Sequence, residues 1–325
     1  ISGPDRDDIA AFWNAAARQP IRVYVGLTAS GSAEDRAKLA FDELMRVGGF
    51  ERKYLVIATP TGSGWLDPGA MDTLEYMTRG DVATVAIQYS YLSSPMSVIV
   101  DPENGIAESH ALFDLIYRHW TALPAAERPR LYLHGLSLGA FLSQETVPLL
   151  NVFGDPFQGA LWTGSPFLSE MWRMVQDRRD PDSPAWRPKF GNGSLIRTTN
   201  QFGGLERFDA TWGPIRLVFL QYGSDPIVFF DYSLAWRRPD WLRSNRAPDL
   251  GPDLGLDTLD RRYARGNVLE FLAKLPELMV FNDEAHHIHE IKREGESTEG
   301  EWQKSLSRIA ETKGRRFVQM DFSAT

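Results

Sequence analysis

Leu131-Tyr132-Leu133-His134-Gly135-Leu136-Ser137-Leu138-Gly139-Ala140-Phe141-Leu142-Ser143-Gln144-Glu145 is the stretch on which the reading of this chain turns. A short apolar run of β-forming residues enters Gly-x-Ser-x-Gly, and a helix-forming run leaves it. The spacing has a steric reason. A strand that turns straight into a helix forces the central residue into a strained backbone conformation, and only glycine two positions to either side, here Gly135 and Gly139, avoids a clash. The Ser137 hydroxyl is then held out at the carboxyl edge of a sheet. The helix N-terminus beneath it contributes a positive dipole end, and the amide of Leu138 is placed to donate to an oxyanion. Five-residue matches of this kind also arise by chance, so the strand before and the helix after are what give this one weight.

Working outward, β-rich apolar runs alternate with amphipathic stretches over the first two-thirds of the chain, the pattern of a parallel sheet covered by helices on both faces. The pattern predicts strands over 21–27, 54–59, 82–88, 130–134, 159–163 and 215–222. It predicts helices over 33–47, 68–78, the latter opened by Pro68, and 106–120. Residues 1–20 form a lead-in. The stretch 164–213 has no clear period and carries Trp172, Met174, Trp186 and Phe190 among charges and prolines. It is expected either as a cap-like insertion over the site or as a surface excursion anchored by those aromatics.

Two further elements are expected beside Ser137. Thr59-Pro60-Thr61-Gly62-Ser63-Gly64-Trp65 follows a strand, and its glycines would let the amide of Thr61 or Gly62 approach a substrate as the second oxyanion donor. The alternative is an ordinary glycine-rich turn; it is no phosphate-binding loop, because no lysine follows the last glycine. Asp225 stands just past a predicted strand in Gly223-Ser224-Asp225-Pro226, where it could orient a histidine or simply cap a turn before proline. In this arrangement the partners follow in the order serine, acid, histidine, so only His286, His287 and His289 qualify as the base. His110, His119 and His134 lie earlier and are expected to be packing or surface residues.

Composition narrows the classes. The 325 residues are 43% hydrophobic and 24% charged, and no run approaches the ~18 apolar residues of a membrane span. A net charge of -8 disfavours a nucleic-acid partner, whose phosphates call for clustered lysine and arginine. The absence of cysteine excludes disulfides, thiolate metal sites and a cysteine nucleophile. No cofactor and no metal are expected. The chain starts at Ile1 and stops at Ser323-Ala324-Thr325, and both ends are expected to be cut ends. After about Leu254 the character changes: residues 255–325 carry 13 acidic and 11 basic side chains, and a Gly- and Pro-containing joint, 249–255, precedes them.

Several long stretches carry a family resemblance: Ile21-Arg22-Val23-Tyr24-Val25-Gly26-Leu27, ATPTGSGWLDP from Ala58 to Pro68, IQYSYL from Ile87 to Leu92, then SDPIVFF and WRRPDWL. Over residues 1–253 the chain resembles bacterial α/β-hydrolases that carry their hydrolase domain behind a multi-helix membrane region, a region absent from this sequence. The resemblance implies a doubly wound, mostly parallel α/β sheet of the α/β-hydrolase type over 21–253. It implies a serine esterase or acyl-transfer enzyme, with Ser137 and Asp225 in the matching positions and small-molecule, lipid or aminoacyl-lipid esters as candidate substrates. Membrane association is implied for the full-length family member, this chain itself being soluble. The family continues into a further strand and a Gly-His-Gly-His motif that looks like the source of its base. This sequence departs from that pattern at about Leu254, so its usual C-terminal strand and histidine are expected to be missing and turnover impaired.

Residues 254–325 instead resemble part of a DEAH-box helicase of the restriction-enzyme type, in Val280-Phe281-Asn282-Asp283-Glu284-Ala285-His286-His287 and in Asp321-Phe322-Ser323-Ala324-Thr325. In such a helicase Asp283 would engage Mg²⁺, Glu284 would position the attacking water, and His286 would complete the motif. The sequence has no G-x-x-x-x-G-K-[ST], so the phosphates would have no cradle. His287 and His289 are the substitute bases that remain. A fused or misjoined chain of two unrelated proteins would also fit.

Overall fold

The computed structural model describes residues 3–91, 102–147, 154–222 apart from 182, 185, 186, 201 and 202, and residues 225 and 228. Beyond these it describes the backbone of four short strands, 278–282, 290–293, 296–299 and 317–321. The chain divides into two compact units, Ile1–Gly251 and Pro252–Thr325.

In the first unit the order is α1 (Arg6–Trp13), β1 (Ile21–Val25), α2 (Ala33–Arg46), β2 (Tyr54–Thr59), α3 (Pro68–Met77), β3 (Val82–Ile87) and α4 (Pro102–Ala122). It continues with β4 (Arg130–Leu136), α5 (Leu138–Glu145), β5 (Gly159–Thr163), α6 (Glu170–Asp177), β6 (Ile196–Thr199) and β7 (Arg216–Leu220). Local chemistry marks the helix starts. Asp5 accepts from the amides of Asp7 and Asp8 while Asp8 reaches back to Asp5, a reciprocal cap. Ser32 caps α2 through the Asp35 amide, and Asp67 caps α3, whose first residue is Pro68.

The seven strands form one sheet in the order β1-β3-β2-β4-β5-β7-β6, every neighbouring pair parallel. Right-handed crossovers then dictate the layering. The steps β1 to β2 and β3 to β4 run one way across the sheet, so α2 and α4 share a face and pack on each other. The step from β2 to β3 runs back and sends α3 to the other face, where it meets α1. β2 and β4 therefore lie side by side with connections leaving to opposite faces, which opens a crevice at their carboxyl ends. All six residues of β3 and all but the first of β2 are buried, as expected of central strands covered on both sides.

The stretch 164–213 is built differently from either expectation. It supplies α6, whose Trp172 stacks obliquely on Phe219 of β7 at 5.3 Å, and it supplies β6, a strand of the central sheet. A four-residue strand with a buried arginine at its second position escapes a reading based on apolar runs. Arg197 satisfies itself there by donating to the carbonyls of Gly193, Leu205 and Ala210. Arg207 reaches back to the Thr198 carbonyl at 3.5 Å, along the border that β6 does not share with β7.

In the second unit Leu278–Asn282 pairs in parallel with Phe317–Asp321, and Glu290–Arg293 pairs antiparallel with Glu296–Glu299. Among the described residues no helix is long and apolar enough to cross a membrane.

One ion pair of the core has a measurable consequence. Arg36 on α2 and Glu108 on α4 are 8% and 3% exposed and bonded to each other, with Glu108 Oε2 and Arg36 Nε left unpartnered among the described residues. Burial pushes the Glu108 carboxyl up, and the guanidinium opposes this. Removing one charge strands the other, so Arg36→Met should destabilise the fold by about 3–5 kcal/mol, and the double change Arg36→Met with Glu108→Leu should recover most of it. Urea unfolding of the three proteins measures both.

Candidate active site

β4 runs directly into α5, and Ser137 is the hinge, with φ 55° and ψ -122°. This is a strained conformation for a residue with a side chain, of order 1–3 kcal/mol. It is over-determined by its surroundings. The Ser137 amide donates to the Thr163 carbonyl of β5 at 2.8 Å, and its carbonyl accepts from Ala140 and Phe141 at 2.9 and 3.2 Å. The glycines answer to contact distances. A methyl group placed on Gly135 would lie 2.3 Å from the Gly139 carbonyl oxygen; one on Gly139 would lie 2.2 Å from that of Thr59. The serine side chain is partly exposed, above the crevice between β2 and β4. Leu138 is the first residue of α5, so its amide has no partner within the helix.

Asp225 follows β7 in a turn closed by its amide on the Tyr222 carbonyl at 3.1 Å. What brings it to the serine is Gly164, a residue the sequence reading passed over. It sits past β5 at φ 59°, with its amide on the Leu220 carbonyl at 3.0 Å. A methyl group on Gly164 would lie 3.5 Å from Asp225 Oδ2 and 4.0 Å from the Ser137 nitrogen. The carboxylate and the elbow thus face one small space that a glycine keeps open. The signal was present as a glycine just past an apolar strand, Thr163-Gly164-Ser165. Behind it, Gln221 holds the main chain of Ser165 from both sides, accepting from its amide at 2.9 Å and donating to its carbonyl at 3.3 Å. Gln144 of α5 donates to the Ser165 hydroxyl at 3.0 Å. Elbow helix, Gly164 turn and acid strand are tied together by these buried amides.

The loop after β2 closes on itself: the Thr61 amide donates to the Trp65 carbonyl at 2.9 Å and the Gly64 amide to the Thr61 carbonyl at 2.8 Å. The Thr61 amide is therefore committed inside the turn, which corrects the expectation that it is available to substrate. Gly62 is the other donor expected of this loop.

Two of the earlier histidines pack within the fold. His134 Nδ1 lies 3.0 Å from the Leu161 carbonyl, and burial holds its imidazole below the usual range, in the neutral form whose ring N–H donates there. His119 packs edge-on against Phe50 and Phe41. His286, His287 and His289, like Asp283 and Glu284, lie outside the described residues. Among the described residues no group of three or more acidic or histidine side chains is placed to hold a metal ion.

Residues 21–256 match the sequence profile of an alpha/beta-hydrolase family. That span is most of the chain, and this protein belongs to that family, with a doubly wound sheet of the corresponding type. A search of curated protein sequences finds no match. Among solved structures, the Pyrococcus horikoshii acylaminoacyl peptidase is similar at 10% identity and a TM-score of 0.25, over 85% of this chain and 33% of its own. The chain thus spans about a third of that peptidase's length. A dienelactone hydrolase-like promiscuous phosphotriesterase from metagenomic libraries gives 14% identity and a TM-score of 0.27, over 55% and 76% of the two chains. A structure described for metagenome-derived lipolytic enzymes gives 13% and 0.26, over 54% and 86%. The family assignment rests on the sequence profile.

The strain at the hinge is testable without any substrate. Ser137→Gly removes the steric penalty at positive φ and should raise stability by about 1 kcal/mol after the entropic cost of glycine. Gly139→Ala drives a methyl group into the Thr59 carbonyl and should lower stability by about 3 kcal/mol. Thermal and urea unfolding read both signs.

Proposed function

We propose that the chain is a serine hydrolase of carboxylic esters, with Ser137 as nucleophile and Asp225 as the acid that orients its base. The observation that carries this reading is the strained hydroxyl-bearing hinge facing the Asp225 carboxylate across Gly164. In the proposed reaction Ser137 Oγ attacks the acyl carbonyl and its proton passes to the base. The carbonyl oxygen becomes an oxyanion held by the amides of Leu138 and Gly62, and the alcohol leaves with the proton. Water then repeats the sequence on the acyl-serine and releases the acid. The N-terminal end of α5 adds its dipole under the developing charge. His287 and His289 are the proposed substitute bases.

Three aromatics emerge past the carboxyl ends of strands: Trp65 after β2, Tyr91 after β3 and Tyr222 after β7, at 49%, 62% and 39% exposure. Such large exposed apolar groups at the edge that bears the serine favour an ester with an apolar acyl or alcohol part, small or lipid-linked. Membrane association of a longer family member is part of the same proposal.

A fluorophosphonate probe tests the reading. The native chain should be labelled on one serine, Ser137→Ala should not be labelled, and Asp225→Asn should be labelled at least about a hundredfold more slowly. Whichever of His287→Ala and His289→Ala abolishes labelling identifies the base. Equal labelling of Ser137→Ala would overturn the assignment.

A second reading concerns 254–325 alone. The strand before Asp283-Glu284-Ala285-His286 and the strand before Ser323-Ala324-Thr325 are parallel neighbours, Asn282 opposite Asp321. Both motifs thus follow the same end of one strand pair, the placement an ATPase fragment of the helicase kind would need. If this segment retains that role it binds Mg²⁺-ATP, and Asp283→Asn weakens the binding; calorimetry that detects no binding removes this reading.

A further inference from the structure

The stretch Ile87-Gln88-Tyr89-Ser90-Tyr91-Leu92 carries part of the family resemblance and takes no part in the proposed reaction. In the structure its first residues leave β3 and turn toward the loop that follows β2. Tyr89 is buried, and its ring packs against Leu138 and Leu142 of the elbow helix. Its hydroxyl donates to the Pro60 carbonyl at 3.2 Å. One side chain therefore touches both halves of the proposed oxyanion site, the residue whose amide begins α5 and the first carbonyl of the loop.

Two neighbours act on the same loop. Gln88 Nε2 donates to the Ser63 carbonyl at 3.2 Å and to that of Ser90 at 3.0 Å, and Tyr24 of β1 donates its hydroxyl to the Gly64 carbonyl at 2.8 Å. Gly64 has φ 86°, and a methyl group on it would meet the Tyr24 hydroxyl at 2.6 Å. The carbonyls of residues 60, 63 and 64 are thus each held by a donor from β1 or from the segment after β3. A trans peptide aims its N–H opposite to its C=O, so the pinned carbonyls of 60, 63 and 64 fix the peptides on either side of the Thr61 carbonyl, which accepts from the Gly64 amide at 2.8 Å and shares its peptide with the Gly62 N–H. Donors fixed before the reaction spare the reorganisation that water would need, and this is the source of most oxyanion stabilisation. The Pro60 carbonyl is also the one that a methyl group on Gly139 would strike at 2.5 Å. It is wedged between the elbow helix on one side and the Tyr89 hydroxyl on the other.

We propose that Tyr89 is a positioning residue that sets the distance between the elbow helix and the oxyanion loop, with Tyr24 and Gln88 fixing the remainder of that loop. This rests on the serine-hydrolase reading, and it assigns a role to residues that touch no substrate. The phenol and the ring have separable tasks. Tyr89→Phe keeps the ring against Leu138 and Leu142 and removes only the donor to Pro60.

The experiment compares the full chain with Tyr89→Phe and Tyr24→Phe on a short-chain nitrophenyl ester and on a fluorophosphonate probe. Hydrogen exchange across 60–65 is followed in parallel. For Tyr89→Phe kcat and the labelling rate of Ser137 should fall about tenfold, since loss of a whole oxyanion donor costs about 10²–10³ and a displaced one less. KM should stay within about twofold, because the ground-state ester makes little use of the oxyanion donors. Exchange should quicken in 60–65 and not in β4 or α5. Tyr24→Phe should show the same pattern more weakly. A Tyr89→Phe protein with unchanged kcat and labelling rate overturns the proposal while leaving the serine assignment intact. A native chain that neither turns over ester nor labels at Ser137 overturns the serine assignment. Exchange then decides alone, and an unaltered rate across 60–65 in Tyr89→Phe overturns the positioning role.

Discussion

Backbone meets backbone where the end of β2 passes the first turn of α5. The carbonyl oxygens of Thr59 and Pro60 stand 2.2 and 2.5 Å from where a side chain on Gly139 would begin. That approach brings the two loops on either side of the β2/β4 crevice close together. It also commits the elbow to its geometry: with Gly139 against β2 and the Ser137 amide on the Thr163 carbonyl of β5, the hinge is held from both neighbouring strands. A strained residue persists only when its surroundings leave it no alternative, and here the two flanking strands supply that constraint.

The rest of the site is arranged around this fixed point by groups that are themselves buried. Gln221 holds Ser165, Ser165 follows Gly164, and Gly164 leaves the space into which the Asp225 carboxylate turns. On the other side Tyr24, Gln88 and Tyr89 hold carbonyls of the loop after β2. Nearly all of these contacts are between a side-chain amide or hydroxyl and a main-chain atom. Such bonds fix backbone direction at a modest energy each, about 0.5–1.5 kcal/mol, and their value here lies in orientation more than in stability.

Much of this could be read before any coordinates. β2 and β5 match their expected bounds residue for residue because each is an apolar run that ends where the polypeptide turns. β1 and β7 are shorter than expected because their last apolar residues lie past the final ladder bonds. β4 is longer, since the elbow glycine still pairs with Trp162 of β5. β6 was hidden because Ile196-Arg197-Thr198-Thr199 shows neither alternation nor length, and its arginine is satisfied by carbonyls more than by charge. The strained hinge at Ser137 was legible from steric logic alone. Gly164 and Tyr89 were not, for opposite reasons. A glycine after a strand looks like any turn, and a tyrosine in an apolar run looks like core until its hydroxyl is seen on a carbonyl of a distant loop.

The border strand β6 carries a consequence of its own. Its outward Thr198 carbonyl is already met by the guanidinium of Arg207, and the turn at Gly204 lies against it. A ladder extends only where a row of hydrogen-bonding groups stands vacant, and at Thr198 this margin is occupied by residues of its own chain. A second polypeptide adding a strand at that point would have to displace the guanidinium, a local guard against edge-to-edge pairing supplied by a segment that looked, as sequence, like mere irregular loop.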